Sequence, residues 1–290
     1  MVSEPAMADA SKVLAAVARA GELMRKTPGR AGSVVRAFAD DVMVVGDLHG
    51  NVRAFKWVLA EAALDRHPNR HLVLQELIHE IHKSDDDRPD LSHRLVDVVC
   101  ALKCQYPDRV HVIMGNHELS ELTGRMIGKD GRALNERFRE GIGRAFGEAA
   151  DEVYAAYRKL FSDLPLAVRT PNRVFCCHTI PDGDWLDDFD VALLDADSWP
   201  EKATKRRGAV YAITWGRDTS DETADRFAAM VDADLFVTGH QPCDDGFRQA
   251  NRRTLIIDGT DPYPAYCLFP ARTPIGIDDL VRSVKVMGRD

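Results

Sequence analysis

The decisive stretch of this sequence is Val42-Met43-Val44-Val45-Gly46-Asp47-Leu48-His49-Gly50-Asn51. Its first four residues are apolar and mostly β-branched, which is typical of a strand buried on both faces. Asp47 and His49 follow that strand in a glycine-containing turn, and carboxylates and imidazoles are common metal ligands. The stretch therefore predicts a buried strand whose following loop binds a metal ion.

Short apolar runs alternate with helical patterns after this stretch. Residues 72–74 and 110–114 have the composition of buried strands, whereas residues 55–62 and 91–102 repeat apolar side chains at helical spacing. This alternation predicts βαβ units around a mainly parallel core. We predict further strands at residues 164–168, 174–177, 210–215, 235–237, 255–257 and 265–269.

Two segments depart from this alternation. Residues 9–26 carry apolar side chains at helical spacing, which predicts an amphipathic helix that caps the domain. We expect residues 1–28 to form an N-terminal extension and residues 29–290 to form one domain. Residues 119–163 are rich in Ala, Glu and Arg with aromatic residues at helical intervals, and they predict a helical excursion of two helices.

The composition limits the possible functions. Of 290 residues, 45% are hydrophobic and 29% are charged, which is ordinary for a soluble globular protein. The formal net charge of −8 argues against nucleic acid as the main partner. No CxxC motif occurs among the six cysteines, so we expect free thiols in a reducing cytoplasm. The sequence has no long apolar run and no signal-peptide pattern, so no membrane association is expected.

Candidate ligands follow several of the expected strands. In open α/β sheets, binding residues gather beyond the carboxyl ends of the strands. Residue types that bind metals follow four of the expected strands. They are Asp47 and His49 after the first, Asn116 and His117 after the second, His178 after the third, and His240 after the fourth. Carboxylate, amide oxygen and imidazole together predict a metal-dependent hydrolase.

These residues resemble the motifs of the calcineurin-like metallophosphoesterases. The resemblance is carried, in order and spacing, by Gly46-Asp47-Leu48-His49-Gly50, Gly115-Asn116-His117-Glu118, His178 and Gly239-His240. The segments preceding Gly115 and His178 resemble the phosphoprotein phosphatase branch of that superfamily. The likeness covers residues 41–269 and implies a four-layer α/β/β/α sandwich with two mixed central sheets.

The resemblance also implies a dinuclear metal centre. Asp47 and His49 would bind the first metal, and Asn116, His178 and His240 would bind the second. A carboxylate and a water or hydroxide would bridge the ions, which would be manganese, iron or zinc. Two such ions, roughly 3.5–4 Å apart, activate water and orient a phosphoryl group for in-line attack. The resemblance gives His117 the role of general acid.

The second motif departs from the family pattern. The family has Gly-Asp followed by Asp-Arg-Gly, whereas this chain has Gln75-Glu76-Leu77-Ile78-His79-Glu80. Glu76 stands where the bridging aspartate is expected. His79 stands where an aspartate orients the catalytic histidine, and three roles stay open for it: an extra ligand, a partner of His117, or a loop residue.

The chain also lacks arginines that the family uses to bind phosphate. Glu80 and Met114 occupy two such positions. Arg217 is the first candidate for a replacement phosphate clamp, with Arg53 and Arg125 as others, because arginine forms bidentate charge-assisted contacts with phosphate.

Hydrolysis of phosphate esters is the predicted function, and a phosphoprotein phosphatase-like enzyme is the first interpretation. A nucleotide or dinucleotide polyphosphate hydrolase, or a phosphodiesterase, is the alternative. The substrate would then be a phosphoprotein, a nucleotide or a phosphorylated small molecule. A different class of function is also considered: the protein has lost its catalytic activity and binds a metal or a partner.

Overall fold

The computed structural model of the protein describes residues 9–81, 88–129 and 132–289. Its α-helices are α1 (Ala10–Arg25), α2 (Val52–Ala62), α3 (His93–Gln105), α4 (Asn116–Thr123), α5 (Leu134–Phe146), α6 (Ala150–Phe161), α7 (Ala209–Trp215), α8 (Asp221–Val231) and α9 (Ile277–Arg282). Its strands are β1 (Arg30–Ala31), β2 (Val34–Arg36), β3 (Asp41–Val45), β4 (Arg70–Gln75), β5 (Val110–Ile113), β6 (Gly128–Lys129), β7 (Arg132–Ala133), β8 (Ala167–Arg169), β9 (Val174–Cys177), β10 (Leu235–Thr238), β11 (Phe247–Gln249), β12 (Thr254–Ile257), β13 (Ala265–Pro270) and β14 (Val284–Val286).

Two mixed sheets form the centre of the fold. One sheet has the order β14-β13-β3-β4-β5, in which β3, β4 and β5 are parallel. The other has the order β1-β2-β8-β9-β10-β12-β11, in which β9, β10 and β12 are parallel. Antiparallel strands flank both parallel segments. The predicted fold class is thus confirmed, and both sheets mix parallel with antiparallel pairs; β2 and β8 form a further parallel pair.

The apolar strand β3 is buried on both faces because it lies between two layers. Val42 and Val44 belong to the apolar cluster between the sheets, which also contains Cys176 of β9. Met43 and Val45 belong to the cluster that includes the helices. Side chains alternate between the faces of a strand, so a strand covered on both sides requires a continuous apolar run.

Helices cover the outer face of each sheet. On the first sheet, Trp57 of α2 contacts Tyr266 of β13, with ring centroids 4.9 Å apart. On the second, Phe227 of α8 stacks on Phe236 of β10 at 5.4 Å. The layers are therefore helix, sheet, sheet and helix, as the family resemblance implied.

Helix α1 confirms the amphipathic helix that the sequence predicts. Asp9 caps its N-terminus by accepting a hydrogen bond from the Lys12 amide. Its buried residues include Val17 and Met24, which join the apolar core shared with the other helices, and α1 packs against α3 and α6. Burial of this face stabilises the helix on the body of the protein.

One predicted strand is wrong. Residues 210–215 form helix α7 instead, and all but the last are buried. A short apolar run that is buried on every side carries neither a period of 2 nor one of 3.6, so the sequence does not distinguish a strand from a buried helix. Gly208 precedes α7 with extended backbone and accepts the hydrogen bond of the Ala212 amide, which starts the helix.

The predicted helical excursion contains the two helices α5 and α6. It also contains most of α4 and the hairpin formed by β6 and β7, which the sequence did not indicate. Both hairpin strands are two residues long, too short to give a recognisable alternation.

The cysteines are free thiols, as predicted, and four of the six are buried. Across the described ranges, no helix combines the length and the apolar character needed to cross a membrane.

Met24→Ala tests the packing of α1. Met24 is 3% exposed in the core, so its truncation should lower the free energy of unfolding by about 2–5 kcal/mol. The matched control is Met126→Ala, because Met126 is 54% exposed and its truncation should change stability by less than about 0.5 kcal/mol. Urea unfolding measures both; equal values would show that α1 does not contribute to the core.

Candidate metal centre

The structure brings all six proposed ligands to one edge of the two sheets. Each follows the carboxyl end of a strand: Asp47 and His49 follow β3, Glu76 follows β4, Asn116 follows β5, His178 follows β9, and His240 follows β10. His117 lies next to Asn116 in the first turn of α4. Because β3, β4 and β5 are parallel and β9 is parallel to β10, these loops emerge at the same edge.

Four residues converge at one side of the site. The Asn116 Oδ1 atom lies 2.9 Å from His178 Nε2 and 2.9 Å from His240 Nδ1. His178 Nε2 also lies 2.7 Å from Glu76 Oε2. Two imidazoles, one amide oxygen and one carboxylate thus point at a common centre, which is the donor set expected for a divalent ion.

Three residues with imidazole and carboxylate groups converge at the other side. His49, Glu76 and His117 can place ligand atoms within 4.8 Å of one another, and so can Glu76, His178 and His240. Glu76 belongs to both groups, which is the position of a bridging ligand. His117, for which the role of general acid is expected, is thus also close enough to His49 and Glu76 to share a metal ion with them.

The backbone and Gln75 set the orientation of two imidazoles. His49 Nδ1 lies 2.9 Å from the carbonyl oxygen of Ile78, an acceptor, so Nδ1 carries the proton and Nε2 keeps its lone pair. Gln75 donates through Nε2 to the carbonyl of Val45, which directs its Oε1 to His178 Nδ1 at 2.9 Å. His178 Nε2 therefore also keeps a lone pair. Such contacts orient ligand imidazoles and raise their basicity.

Gln75 is a functional candidate that the sequence analysis did not assign. It is fully buried between β3 and His178. The sequence signal for this contact is a glutamine at the end of an apolar run, immediately before Glu76. Its role can be recognised only from the fold, which places His178 beside it.

Two glycines make room for carboxylates. A Cβ atom on Gly115 would lie 2.5 Å from Glu76 Oε1, and one on Gly239 would lie 2.1 Å from Asp47 Oδ1. Carbon and oxygen cannot approach so closely, so any side chain at either position would displace a proposed ligand. Each glycine precedes another ligand residue in the sequence, and this explains the Gly-Asn-His and Gly-His motifs sterically.

Several site residues have left-handed backbone conformations. The φ angles are 42° at His49, 48° at Glu76, 66° at His79 and 66° at His240. For residues with a Cβ atom this region costs about 1–2 kcal/mol each. Such strain persists when surrounding contacts hold the backbone and is concentrated at functional sites.

The electrostatics of the site favour a bound cation. Burial raises the pKa of Asp47 to about 8 and also raises that of Glu76. Burial lowers the pKa of His49 and His178, so these imidazoles are neutral. Buried carboxylates without a compensating charge are unfavourable, whereas a cation would stabilise their ionised forms.

Asp47 shows this need directly. Its Oδ2 accepts a hydrogen bond from the His240 amide at 2.9 Å. Its Oδ1 is buried and has no hydrogen-bond partner among the described residues. An orphaned, buried carboxylate oxygen at this edge of the sheets fits a metal ion as the missing partner.

His79 contacts His117 on one side of its ring and Glu121 on the other. The two Nδ1 atoms are 3.0 Å apart, and His79 is fully buried. Of the three roles left open for His79, this geometry supports the role of a partner of His117.

The three candidate arginines differ in their surroundings. Arg53 is paired with Asp261, and Arg125 packs over the rings of Tyr211 and Trp215 at 5.0 and 5.8 Å. Arg217 is exposed, yet its positive charge reaches the site: burial lowers the pKa of His178, and Arg217 lowers it further. Arg217 therefore stays the first candidate for binding an anion at the metal centre.

A cleft of about 310 Å³ leads to the first ligand group. Its lining residues are His49, Gly50, Asn51, Val52, Glu80, Ile81, Arg88 and Asp261. Glu80 therefore lies at the entrance to the site. This agrees with its place in the second motif, where the family has a phosphate-binding arginine.

An α/β/β/α sandwich with metal-binding residue types gathered at the edge of its sheets defines a class of metal-dependent hydrolases. Comparison with known proteins gives the family. Residues 41–244 match the family model described as calcineurin-like phosphoesterase, and the chain belongs to that family. The family is that of the metallophosphoesterases, and the curated relatives that the chain matches carry the names of phosphoprotein phosphatases.

Curated relatives are serine/threonine phosphatases by name. The chain is 28% identical over 182 residues to a probable serine/threonine-protein phosphatase of Encephalitozoon cuniculi, covering 56% of this chain and 36% of that protein. It is 22% identical over 254 residues to the serine/threonine-protein phosphatase 4 catalytic subunit of Kluyveromyces lactis, covering 82% of this chain and 74% of that protein. The chain thus spans about a third of the length of the first of these relatives.

Solved structures show the same fold. A protein serine/threonine phosphatase from Saccharomyces cerevisiae superposes with a TM-score of 0.69 at 14% identity, over 96% of this chain and 89% of that one. A cold-active protein-tyrosine phosphatase of a psychrophilic Shewanella species superposes with a TM-score of 0.58 at 15% identity, over 91% of this chain and 84% of that one.

Glu76→Asp tests the assignment of Glu76 as a shared ligand. We expect this variant to retain metal after dialysis against a manganese salt, because the carboxylate is kept and only its reach is shortened. Glu76→Gln should lose metal, since the charge is removed. Elemental analysis measures the content, with Glu152→Asp as an exposed control. Loss of both metals from Glu76→Asp would contradict the alignment of Glu76 with the family aspartate.

Proposed function

We propose that the chain hydrolyses phosphate esters at a dinuclear metal centre in the manner of a phosphoprotein phosphatase. The observation that carries this proposal is the sharing of Glu76 by two groups of potential ligands. One carboxylate between two groups suits two ions that act on one phosphoryl group.

The proposed ligands divide between the two ions. Asp47, His49 and Glu76 would hold the first, and Glu76 with Asn116, His178 and His240 would hold the second. When bound, the ions supply an activated water and a charged template for the phosphoryl group. Manganese, iron or zinc suits this set of oxygen and nitrogen donors.

His117 and Arg217 have proposed roles beyond metal binding. The Nδ1 atom of His117 is engaged by His79 at 3.0 Å, which leaves Nε2 for the reaction. We assign His117 as the general acid that protonates the leaving oxygen as the P–O bond breaks. Arg217 would bind the phosphoryl oxygens, a contact that supports both charge and geometry.

The substrate class is inferred from the names of the relatives and from the size of the cleft. Names of curated relatives support a phosphorylated protein, and the cleft beside His49 has room for the group that carries the phosphate. Free cysteines support a reducing compartment, and we propose the cytoplasm.

Substitution of His117 and Asp47 tests the proposed activity. With added Mn²⁺ the wild type should hydrolyse p-nitrophenyl phosphate. His117→Ala should lower kcat by ~10²–10⁴-fold while metal is retained, because an acid is removed. Asp47→Asn should lower metal content and activity together. His67→Ala and Asp65→Asn, both at exposed positions, are the matched controls.

The same assay distinguishes the proposed enzyme from a metal-binding protein that has lost its activity. A decayed metal-binding protein would bind metal tightly without turnover on any member of an ester panel. Retained activity in His117→Ala would instead reject the acid role and leave His117 as a ligand of the first group.

Arg217→Ala tests the phosphate clamp. Removal of a charge-assisted contact to the phosphoryl group should lower kcat/KM by roughly 10–100-fold. Arg66→Ala, at an exposed position, serves as the control. An unchanged kcat/KM for Arg217→Ala would assign phosphate binding to the metals alone.

Charge at the entrance generates a prediction on substrate preference. Glu80 lines the cleft where the family places a phosphate-binding arginine, so the chain lacks the charge-assisted contact by which that arginine would bind a dianionic monoester. Phosphodiesters and polyphosphates should therefore compete with the aryl phosphate better than they do in a typical protein phosphatase. Inhibition constants measure this, and a strong preference for phosphoserine peptides would oppose it.

A further inference from the structure

A chain of buried polar groups runs from His117 away from the metal centre. His79 Nδ1 lies 3.0 Å from His117 Nδ1, and His79 Nε2 lies 2.9 Å from Glu121 Oε1. Asn135 donates to Glu121 Oε1 at 2.6 Å, and Tyr154 donates to Glu121 Oε2 at 2.6 Å. The family arrangement, a carboxylate directly on the catalytic histidine, is here extended by one imidazole.

The direction of every hydrogen bond in this chain can be worked out from one backbone amide. The amide of Ile127 donates to Asn135 Oδ1 at 2.8 Å, so the Asn135 NH₂ group faces Glu121. Glu121 Oε1 already accepts from Asn135, so it is an acceptor toward His79 as well. His79 Nε2 must then carry the proton, and His79 Nδ1 must accept.

The last link fixes the state of His117. Because His79 Nδ1 accepts, His117 Nδ1 carries a proton and donates it. The Nε2 atom of His117 is then the one that changes protonation or faces the metal site. Burial raises the pKa of Tyr154 to about 12, with its hydrogen bond to Glu121 adding to the effect, so Tyr154 remains a donor throughout.

The surroundings hold His79 in place. The backbone at His79 is left-handed, with φ 66°, and its amide donates to the Ser92 hydroxyl at 3.0 Å. The edge of its ring meets Phe138, with centroids 5.6 Å apart. Glu121 is 1% exposed, so its hydrogen bonds to His79 and Asn135 are shielded from water. A buried carboxylate is costly unless all its bonds are made, which argues for a specific role.

We propose that Glu121 is a positioning residue that acts through His79 to hold His117 with its proton on Nδ1 and its Nε2 directed to the site. This inference rests on the proposed function, in which His117 protonates the leaving oxygen. The resting imidazole carries only the Nδ1 proton, because burial lowers the pKa of His117 well below its usual value, so Nε2 first takes up a second proton from solvent. The Nε2–H bond then breaks as the leaving oxygen gains that proton, the P–O bond breaks, and the Nδ1 proton stays in place. No proton has to move along the chain.

The proposal is tested by measuring the effect of Glu121→Gln on kcat in the wild type and in the His79→Asp variant, where the effect should have the opposite sign. In the wild type, Glu121→Gln should lower kcat by roughly 10–100-fold with little change in KM, as loss of an outer hydrogen-bond partner does. In His79→Asp, an oxygen replaces Nδ1 at the same number of bonds from Cα and contacts His117 directly. Glu121 then only repels this new carboxylate, so adding Glu121→Gln should raise kcat.

Equal effects of Glu121→Gln in both backgrounds would overturn the proposal, because a purely structural role would not change sign. Glu152→Gln on the exposed face of α6 is the matched control. Tyr154→Phe removes one donor to Glu121 and is a milder variant should Glu121→Gln fail to fold. It should lower kcat by about 2–10-fold.

The leaving group provides a second readout. An acid matters most for a poor leaving group, so Glu121→Gln should slow hydrolysis of phenyl phosphate more than that of p-nitrophenyl phosphate. Equal slowing together with loss of metal would instead mean that the chain positions His117 as a ligand, which would overturn the proposed role of Glu121 in acid catalysis.

Nitrogen-15 spectra of the metal-free protein, with histidines labelled, give a readout that needs no turnover. His117 should show its proton on Nδ1 in the wild type and a mixture of tautomers in Glu121→Gln. A proton on Nε2 in the wild type overturns the inference. Absence of turnover by a wild type with the expected spectrum rejects the proposed function, whereas turnover that Glu121→Gln leaves unchanged rejects the inference alone.

Discussion

The carboxylate of Glu76 is the group around which the rest of the site is built. It is 1% exposed, lies 2.7 Å from His178, and accepts the amide hydrogen of His117 at 2.8 Å at the start of helix α4. A helix N-terminus favours a negative charge, but it does not replace water around a buried carboxylate. The fold therefore brings imidazoles, a second carboxylate and two glycines to this point, and a cation is the partner that satisfies them together.

The supporting contacts follow from that requirement. Gly115 and Gly239 have no side chain because Glu76 and Asp47 occupy the space. Left-handed backbone at Glu76 and at neighbouring residues is maintained by the strands behind the loops, since isolated loops would relax. The sandwich supplies this rigidity: its strands are covered on both faces, so their ends cannot shift without disturbing the packed core.

The departures of this chain from its family change the outer part of the site more than its centre. A glutamate replaces aspartate as the shared carboxylate, and a histidine replaces the aspartate beside His117. After the second change the carboxyl group stands one imidazole further from His117, at Glu121. Glu80 places an acidic group at the cleft where phosphate-binding charge was expected. In the proposed function the ligands would retain the chemistry of ester hydrolysis, and these outer groups would decide the discrimination among esters.

The sequence by itself determined the strands that precede the candidate ligands, the residue types that follow those strands and the family, because apolar runs and post-strand polar residues are local features. It did not determine helix α7, since a buried apolar run of seven residues suits either structure. Nor did it determine the partner of His79, the role of Gln75 or the direction of the hydrogen bonds that fix the imidazoles. Those depend on contacts such as His79 with His117, 38 residues apart, and His79 with Glu121, 42 residues apart. Only the tertiary structure decides them, because a hydrogen bond requires distance and orientation that no local pattern encodes.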